Sequence, residues 1–324
     1  MEAFPLSMGE KHQRWWHRTQ LRQLRGVRRG TAPPDQPGDI NRAKYRQAAA
    51  VEVCRRNDGW LDPGERLLFT KIADEVRNRP VLDLGVGGGR TAWLLRLLTE
   101  DYVGIDLSPE MVEVCQTDLP CLRFEQGDAK DLSRFDDDQF KLVLFSFNGI
   151  DCLDHEDRHR TLREIRRVLQ PDGLFVFSTL SLNGPLYGLA PWQWHTRGTD
   201  HLVQRLARSL FLFPTSLPRY ARTYKNWWRN RKYMEHHDSW AIGPPPGLEF
   251  GVVLHWTLPS TQRDELAAKG FTVCELTAQN GLAISSDADS KSTWVLLRCC
   301  PQDTTPDERA ENRSPMNSLA AVAA

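Results

Sequence analysis

The chain has 324 residues with 42 basic and 42 acidic side chains, so its formal charge is zero. This balance argues against a protein whose main task is to coat nucleic acid, because such proteins carry a large positive charge. The seven cysteines include no CxxC pair, and their odd number predicts no disulfide framework. No apolar run is long enough for a signal peptide core or a transmembrane segment, so we expect a soluble, cytoplasmic protein.

Changes in composition and periodicity along the chain predict six segments. They are a basic, flexible N-terminal extension (1–44), an N-terminal helical cap (45–78), an α/β core (79–180), an aromatic and basic lid insertion (181–257), the C-terminal part of the core (258–299) and a disordered tail (300–324).

The core segment alternates apolar, strand-like runs with helical patterns, as is typical of a parallel sheet covered on both faces. The runs are PVLDLG, DYVGID, LRFEQGD, FKLVLFSF and GLFVFST. Ser108 and Pro109 predict the start of the helix after the second run. A helix and two further strands follow residue 258. We therefore predict a doubly wound α/β fold with a seven-stranded, mostly parallel, Rossmann-like sheet and an inserted lid.

A glycine-rich turn follows the first strand. Asp83 lies at the end of this strand, and Gly85, Gly87, Gly88 and Gly89 come before the next helix. Glycines at a strand-to-helix turn allow a ligand to approach the backbone closely, because no side chain blocks it. A glycine cluster alone also fits a tight turn that binds no ligand. The residues at the neighbouring strand ends therefore decide between a ligand-binding turn and a purely structural one.

Acidic residues end the next two strands. Asp106 follows Gly85 by 21 residues, where a carboxylate can accept both hydrogen bonds of a ribose diol. Asp128, which precedes Ala129, ends the third strand, where it can accept from an exocyclic amine such as that of adenine. These acids and the glycine turn predict a nucleoside site at the carboxyl edge of the sheet.

Five motifs together resemble the class I S-adenosylmethionine-dependent methyltransferases. They are DLGVGGG (83–89), GIDLSPEMV (104–112), GDAKDL (127–132), FKLVLFSFNGID (140–151) and REIRRVLQPDGLFVFST (163–179). The resemblance implies S-adenosyl-L-methionine as the cofactor, and no metal is expected. The cofactor-binding residues it implies are Asp83, Gly85, Gly87, Gly89, Asp106, Leu107, Met111, Asp128, Ala129 and Asn148.

The resemblance also implies a role for several of these residues. Leu107 and Met111 border the adenine, and Asp128 with Ala129 reads the edge of that base. Asn148 follows the fourth strand, where the transferable methyl group meets the acceptor in this family.

The lid insertion holds six of the eleven tryptophans and more basic than acidic side chains. It fits a lid with arginines facing water, and alternatively a surface that binds an anionic or sugar-bearing acceptor. His255 lies in the strand-like run GVVLHW where the insertion rejoins the core, and we predict it as the catalytic base. The other candidate bases are His155, His195, His236 and His237.

Three functions remain open from the sequence. The first is methyl transfer to a hydroxyl or amine of a small metabolite or glycan precursor, with a small-molecule acceptor, anionic or glycosylated, as the partner. The second is an RNA or protein methyltransferase, which is disfavoured because Asn148–Asp151 reads Asn-Gly-Ile-Asp and not Asn/Asp-Pro-Pro-aromatic. The third is a non-catalytic cofactor-binding or scaffold protein, which the intact acid series disfavours.

Overall fold

The computed structural model describes residues 37–55, 59–191, 217–287 and 291–302. The first 36 residues of the predicted extension, residues 192–216 of the predicted lid insertion with the candidate base His195, and residues 303–324 of the predicted tail lie outside the described residues.

Helices and strands alternate through the core as the sequence predicts. The helices are α1 (Pro37–Tyr45), α2 (Ala48–Arg55), α3 (Pro63–Val76), α4 (Ala92–Leu95), α5 (Pro109–Asp118), α6 (His155–Val168), α7 (217–230) and α8 (Pro259–Ala267). The strands are β1 (Val81–Leu84), β2 (Tyr102–Asp106), β3 (Arg123–Gln126), β4 (Phe140–Phe145), β5 (Leu169–Leu180), β6 (Glu235–His236), β7 (Trp240–Gly243), β8 (Leu254–Thr257), β9 (Phe271–Ala278) and β10 (Trp294–Pro301).

The central sheet has seven strands in the order β3-β2-β1-β4-β5-β10-β9. The first five are parallel, and β10 is antiparallel to both of its neighbours. This arrangement confirms the predicted mostly parallel, Rossmann-like sheet. The carboxyl ends of β1 to β4 share one edge, because parallel strands point the same way. We call the space at this edge the crevice.

Helices cover both faces of the sheet, each through an apolar stripe. On one face, Leu162 and Ile165 of α6 are fully buried in a cluster that includes Leu266 of α8. On the other face, Leu68 and Ile72 of α3 are fully buried. Burial of each such side chain contributes about 1.5–3 kcal/mol. Two apolar clusters on opposite faces confirm the doubly wound architecture.

Helix α1 belongs to the folded structure, although its residues fall almost entirely in the predicted flexible extension. Ile40 is buried against the lid cluster that contains Ile242 and Val253. The amide of buried Asn41 donates to the carbonyl of Cys152 at 3.0 Å and accepts from the backbone N–H of Val253 at 2.9 Å. The predicted extension is therefore too long, since residues 37–44 pack on the lid and the core.

The lid contains a three-stranded sheet in the order β6-β7-β8, which the sequence did not predict. Its strands are antiparallel, and Thr257 at the end of β8 pairs with Ser181 just after β5. Leu254 and Trp256 of β8 pack with Leu180, and Tyr45 of α1 lies against the same cluster. The lid is thus fixed to the end of β5 and to α1.

Two of the seven cysteines are joined, although their number and spacing predicted no disulfide framework. Cys274 on β9 and Cys300 on β10 are paired as a disulfide between neighbouring strands, with their Cα atoms 6.6 Å apart. The other five cysteines are free. Among the described residues, no helix is both long and apolar enough to span a membrane.

Candidate cofactor-binding site

The glycine turn after β1 has one closed side and one open side. Gly87 adopts a φ of 55°, in the left-handed region that favours glycine, and a Cβ there would have no atom nearer than 4.0 Å. A Cβ on Gly88 would instead lie 2.5 Å from the carbonyl carbon of Cys54. Helix α2 therefore packs directly on Gly88, while the space in front of Gly87 is open to a ligand.

Asp83 lies beneath this turn in the protein interior. It is 1% exposed, and its carboxylate accepts hydrogen bonds from the hydroxyls of Thr91 at 2.6 Å and Tyr102 at 2.9 Å. Burial raises the pKa of this carboxyl to about 6, against the opposing effect of the two hydrogen bonds. In this structure Asp83 holds the turn in place through Thr91, and its two hydroxyl partners lie within the protein.

Asp106 at the end of β2 is directed at the same turn. One carboxylate oxygen accepts from the backbone N–H of Gly87 at 2.9 Å, and the other from that of Ser108 at 2.8 Å. Burial raises the pKa of Asp106. Each oxygen has two acceptor sites, so the carboxylate keeps capacity for a diol. Nearby, Leu107 is 37% exposed and Met111 is buried, which gives the predicted adenine border one accessible side chain.

Asp128 lies at the end of β3 and is connected to α6. Its carboxylate accepts from the backbone N–H of Lys130 at 3.0 Å, and the Lys130 ammonium lies 3.8 Å from it and 2.8 Å from the carboxylate of Asp157. Ala129 packs against the core cluster beneath α6. The third acidic strand end therefore lies at the crevice edge, half-buried and paired with a lysine.

Asn148 follows β4 in an unusual backbone conformation. Its φ is 61°, and Phe147 before it also has a positive φ, of 52°. The backbone N–H of Asn148 donates to the hydroxyl of Ser178 at 2.8 Å, whereas its side-chain Oδ1 is buried without a hydrogen-bond partner in the part of the chain described. Buried polar atoms are seldom unpaired, and strained backbone concentrates at functional sites, so both features indicate a ligand-contacting position.

The structure adds a buried ion pair that the sequence analysis missed. The guanidinium of Arg90 donates to both carboxylate oxygens of Glu65, each at 2.7 Å, and the hydroxyl of Ser146 donates to Glu65 at 2.6 Å. Burial alone would raise the pKa of Glu65, but the charge and hydrogen bonds of Arg90 outweigh it, and this pKa is lowered. The guanidinium also lies 4.9 Å from the ring of Phe147.

A sequence signal for this pair exists. Arg90 immediately follows the glycine turn, and Glu65 is the N3 residue of α3, in a capping box with Asp62. Neither residue was among the predicted site residues. The ion pair fixes α3 to the start of the crevice.

His255 occupies a histidine cluster. It is fully buried on β8, and its Nε2 lies 3.3 Å from Nδ1 of His155, the first residue of α6. His155 is in turn stacked on Trp240 of β7, with ring centroids 4.2 Å apart. Burial, together with the charge of Arg158, lowers the pKa of His255 well below its usual range. His255 is therefore connected to the core through His155.

The arrangement fits a nucleoside-bearing ligand. The open face of Gly87, the carboxylate of Asp106 and the unpaired oxygen of Asn148 belong to the ends of β1, β2 and β4, which are neighbours in the sheet. Ligands of open α/β sheets bind at this edge.

Comparison with known proteins identifies the family of this chain. A family model described as a methyltransferase domain matches residues 81–173. The demethylmenaquinone methyltransferase of Thermotoga maritima is 33% identical over 169 residues, which are 48% of this chain and 72% of that protein. The chain belongs to the class I S-adenosylmethionine-dependent methyltransferases.

Other similar proteins carry related names. An uncharacterized methyltransferase of Bacillus subtilis, YcgJ, is 34% identical over 127 residues, 37% of this chain and 49% of that protein. A phthiotriol/phenolphthiotriol dimycocerosates methyltransferase of Mycobacterium tuberculosis is 34% identical over 132 residues, 39% of this chain and 46% of that protein. The chain thus spans about half the length of these two curated relatives.

Among solved structures, this chain is similar to the 1,6-didemethyltoxoflavin-N1-methyltransferase of Burkholderia thailandensis. The TM-score is 0.48 at 15% identity, over 86% of this chain and 94% of that one.

Proposed function

We propose that this chain is an active methyltransferase that transfers a methyl group from S-adenosylmethionine to a hydroxyl or amine of a small metabolite or glycan precursor. The observation that carries the proposal is the carboxylate of Asp106, held at the end of β2 by the N–H of Gly87 at 2.9 Å. This contact joins the acid to the glycine turn and directs its remaining acceptor sites toward the crevice.

The residues of the crevice divide the work of holding the cofactor, which supplies an electrophilic methyl group on a sulfonium. Asp106 accepts from the ribose hydroxyls, and the open face of Gly87 lets the ligand approach the protein backbone closely. Leu107 and Met111 border the base, while Asp128 reads its exocyclic amine. The aspartate roles rest on the acceptor capacity and position of the carboxylates, and the adenine border of Leu107 and Met111 is what the family resemblance implies.

Ala129 lies beside the adenine edge, and Gly85 and Gly89 complete the turn that Asp83 supports from below. Asn148 is placed after β4 with a buried amide oxygen free to accept a hydrogen bond. We assign that oxygen to a donor N–H or O–H of the bound molecules. An unpaired buried acceptor costs about 1–3 kcal/mol, which a ligand donor offsets.

A small acceptor is favoured because the crevice has a fixed cover. Leu180 at the end of β5, Leu254 and Trp256 of the lid and Tyr45 of α1 share one apolar cluster. Asn41 adds hydrogen bonds from α1 to both Cys152 and Val253. Methyl transfer benefits from positioning and from exclusion of water, and a packed cover supplies both for an acceptor that fits beneath it.

An anionic or glycosylated acceptor remains part of the proposal, and its support comes from the aromatic part of the lid. Two lid arginines are already paired, since Arg219 and Arg222 lie 3.3 Å and 2.7 Å from the carboxylate of Glu249. Trp228, by contrast, is 64% exposed, and the guanidinium of Arg231 stacks over its ring at 3.3 Å. A flat aromatic surface with an adjacent cation suits a sugar or an anion.

The proposal does not require a dedicated base, because positioning of an acceptor lone pair can supply much of the catalysis. The base role of His255 stays a prediction. Its fully buried ring contacts His155, so any proton that it takes from an acceptor must pass by way of that neighbour or a rearranged lid.

The experiment uses S-adenosylmethionine labelled in its methyl group, incubated with the purified chain and a fractionated small-molecule extract. We expect label in one small hydroxyl or amine compound, and far less label with Asp106→Ala. Label in RNA or protein, with strongly salt-dependent polynucleotide binding, would replace the small-molecule proposal. Cofactor binding without labelling of any acceptor would favour the scaffold function.

A further inference from the structure

We propose that His155, His159 and Glu265 form a binding site for a divalent transition-metal ion of the zinc type. Each of the three residues offers one ligand atom, and these atoms lie within 4.8 Å of one another. His155 and His159 are one turn apart on α6, and Glu265 is on α8. Imidazole nitrogens with one carboxylate are a ligand set that zinc and its neighbours in the first transition row bind.

The two histidine rings already have the separation that such an ion needs. Their Nε2 atoms are 3.3 Å apart. Zinc–nitrogen bonds of about 2.0–2.1 Å in a tetrahedron place neighbouring ligand nitrogens about 3.3–3.4 Å apart. A residue spacing of four on a helix puts both rings on one face, so little rearrangement is required of them.

Glu265 supplies an independent observation. It is 9% exposed, and its Oε1 is buried with no hydrogen-bond partner in the described part of the chain. Its other oxygen accepts from the amide of Gln262 at 3.3 Å, and the amide oxygen of Gln262 accepts from Arg158. This chain of contacts fixes one oxygen and leaves the other free for a cation. A buried, unpaired carboxylate oxygen is costly, and a bound ion removes that cost.

The surroundings of His155 hold its ring as a metal ligand requires. Its Nδ1 lies 3.3 Å from Nε2 of His255, and in the tautomer in which Nδ1–H donates to His255 its Nε2 is unprotonated toward His159. Histidine ligands are commonly oriented in this way by a hydrogen bond at their second nitrogen. The stacking of His155 on Trp240, with an interplanar angle of 5°, adds a second constraint. The ion therefore links α6 and α8 and sits against the lid strands β7 and β8.

The test is calorimetric titration of the untagged, chelator-stripped full chain with zinc chloride. We expect one ion per chain, and a rise in melting temperature of roughly 5 °C at a hundredfold excess over the dissociation constant. His159→Ala and Glu265→Gln should each weaken binding tenfold or more and abolish the rise. Because His159 is half-buried, we expect His159→Ala to fold even if Glu265→Gln does not. Circular dichroism checks the folding of both variants.

The matched control is His236→Ala, an exposed histidine on β6 outside the cluster. It should bind zinc like the unchanged chain. Absence of saturable binding by the unchanged chain would overturn the proposal. The proposal would also be overturned if the folded His159→Ala variant bound zinc as tightly as the unchanged chain. The same holds if His236→Ala lost as much zinc affinity as His159→Ala. Metal binding is measured without any methyl acceptor, so the result is independent of the proposed methyl transfer.

Discussion

Replacing Glu65 by Gln removes the negative charge opposite Arg90 while keeping the size of the side chain. The pair is buried, with side-chain exposures of 3% for Glu65 and 9% for Arg90, and both carboxylate oxygens accept from the guanidinium at 2.7 Å. The variant leaves a buried guanidinium without its carboxylate partner, hydrogen-bonded to neutral acceptors such as the carbonyl of Trp60 at 2.8 Å. Breaking a buried pair on one side typically destabilises a protein by about 3–5 kcal/mol, and we expect a loss in this range.

The assay is urea unfolding followed by tryptophan fluorescence, with the free energy of unfolding taken from the midpoint and slope. The matched control is Asp118→Asn, because Asp118 also holds an arginine, Arg55, through two hydrogen bonds of 2.6 and 2.7 Å. That pair is exposed and screened by solvent, so its loss should cost much less than the loss of the buried pair. Equal, small losses of the free energy of unfolding in the two variants would show that burial does not determine the cost of breaking an ion pair here.

Three further predictions concern other parts of the structure. Burial raises the pKa of Asp83 to about 6, so between pH 4 and 6 the folded state holds a proton that the unfolded state has released. The free energy of unfolding of the unchanged chain should therefore fall as pH rises through this range. Its slope should be steeper than that of Asp83→Asn by up to about 1.4 kcal/mol per pH unit, and parallel pH profiles of the two proteins would contradict this. Gly88→Ala places a Cβ 2.5 Å from the backbone of Cys54, and should lower stability by about 1–3 kcal/mol in thermal melts, whereas Gly38→Ala, with open space, should not. If His255 is the base, His255→Gln lowers turnover by about 10²–10⁴ at unchanged cofactor affinity, and unchanged turnover removes it from the mechanism.

The central sheet could be predicted from the sequence because its signals are local. Five apolar runs, a helix start at Ser108 and the glycine turn each depend on a few consecutive residues, and the structure places them as expected. The side chain of Ser108 accepts from the N–H of Met111 in α5. The positions of Asp106 and Asp128 also follow from sequence, since parallel strands must end at one edge.

The buried contacts between charged and histidine side chains, in contrast, join residues that are far apart in the chain. Arg90 pairs with Glu65, and His155 meets Glu265 across 110 positions, so no local pattern shows either contact. The spacing of four residues between His155 and His159 is visible in the sequence, but it indicates a shared site only when Glu265 is placed beside it. The three-stranded lid sheet was missed because its strands are two to four residues long.

Cofactor binding in the crevice through Asp106 is tested most directly by calorimetric titration with S-adenosylhomocysteine. The unchanged chain, Asp106→Ala and the control Asp101→Ala are titrated side by side. Asp101 is exposed and immediately precedes β2, at the end opposite Asp106. We expect binding by the unchanged chain and by Asp101→Ala. We expect a loss of about 1.5–3 kcal/mol of binding free energy in Asp106→Ala, as is typical of hydrogen bonds to a charged group. Equal binding by all three proteins, or no binding by the unchanged chain, would contradict the account.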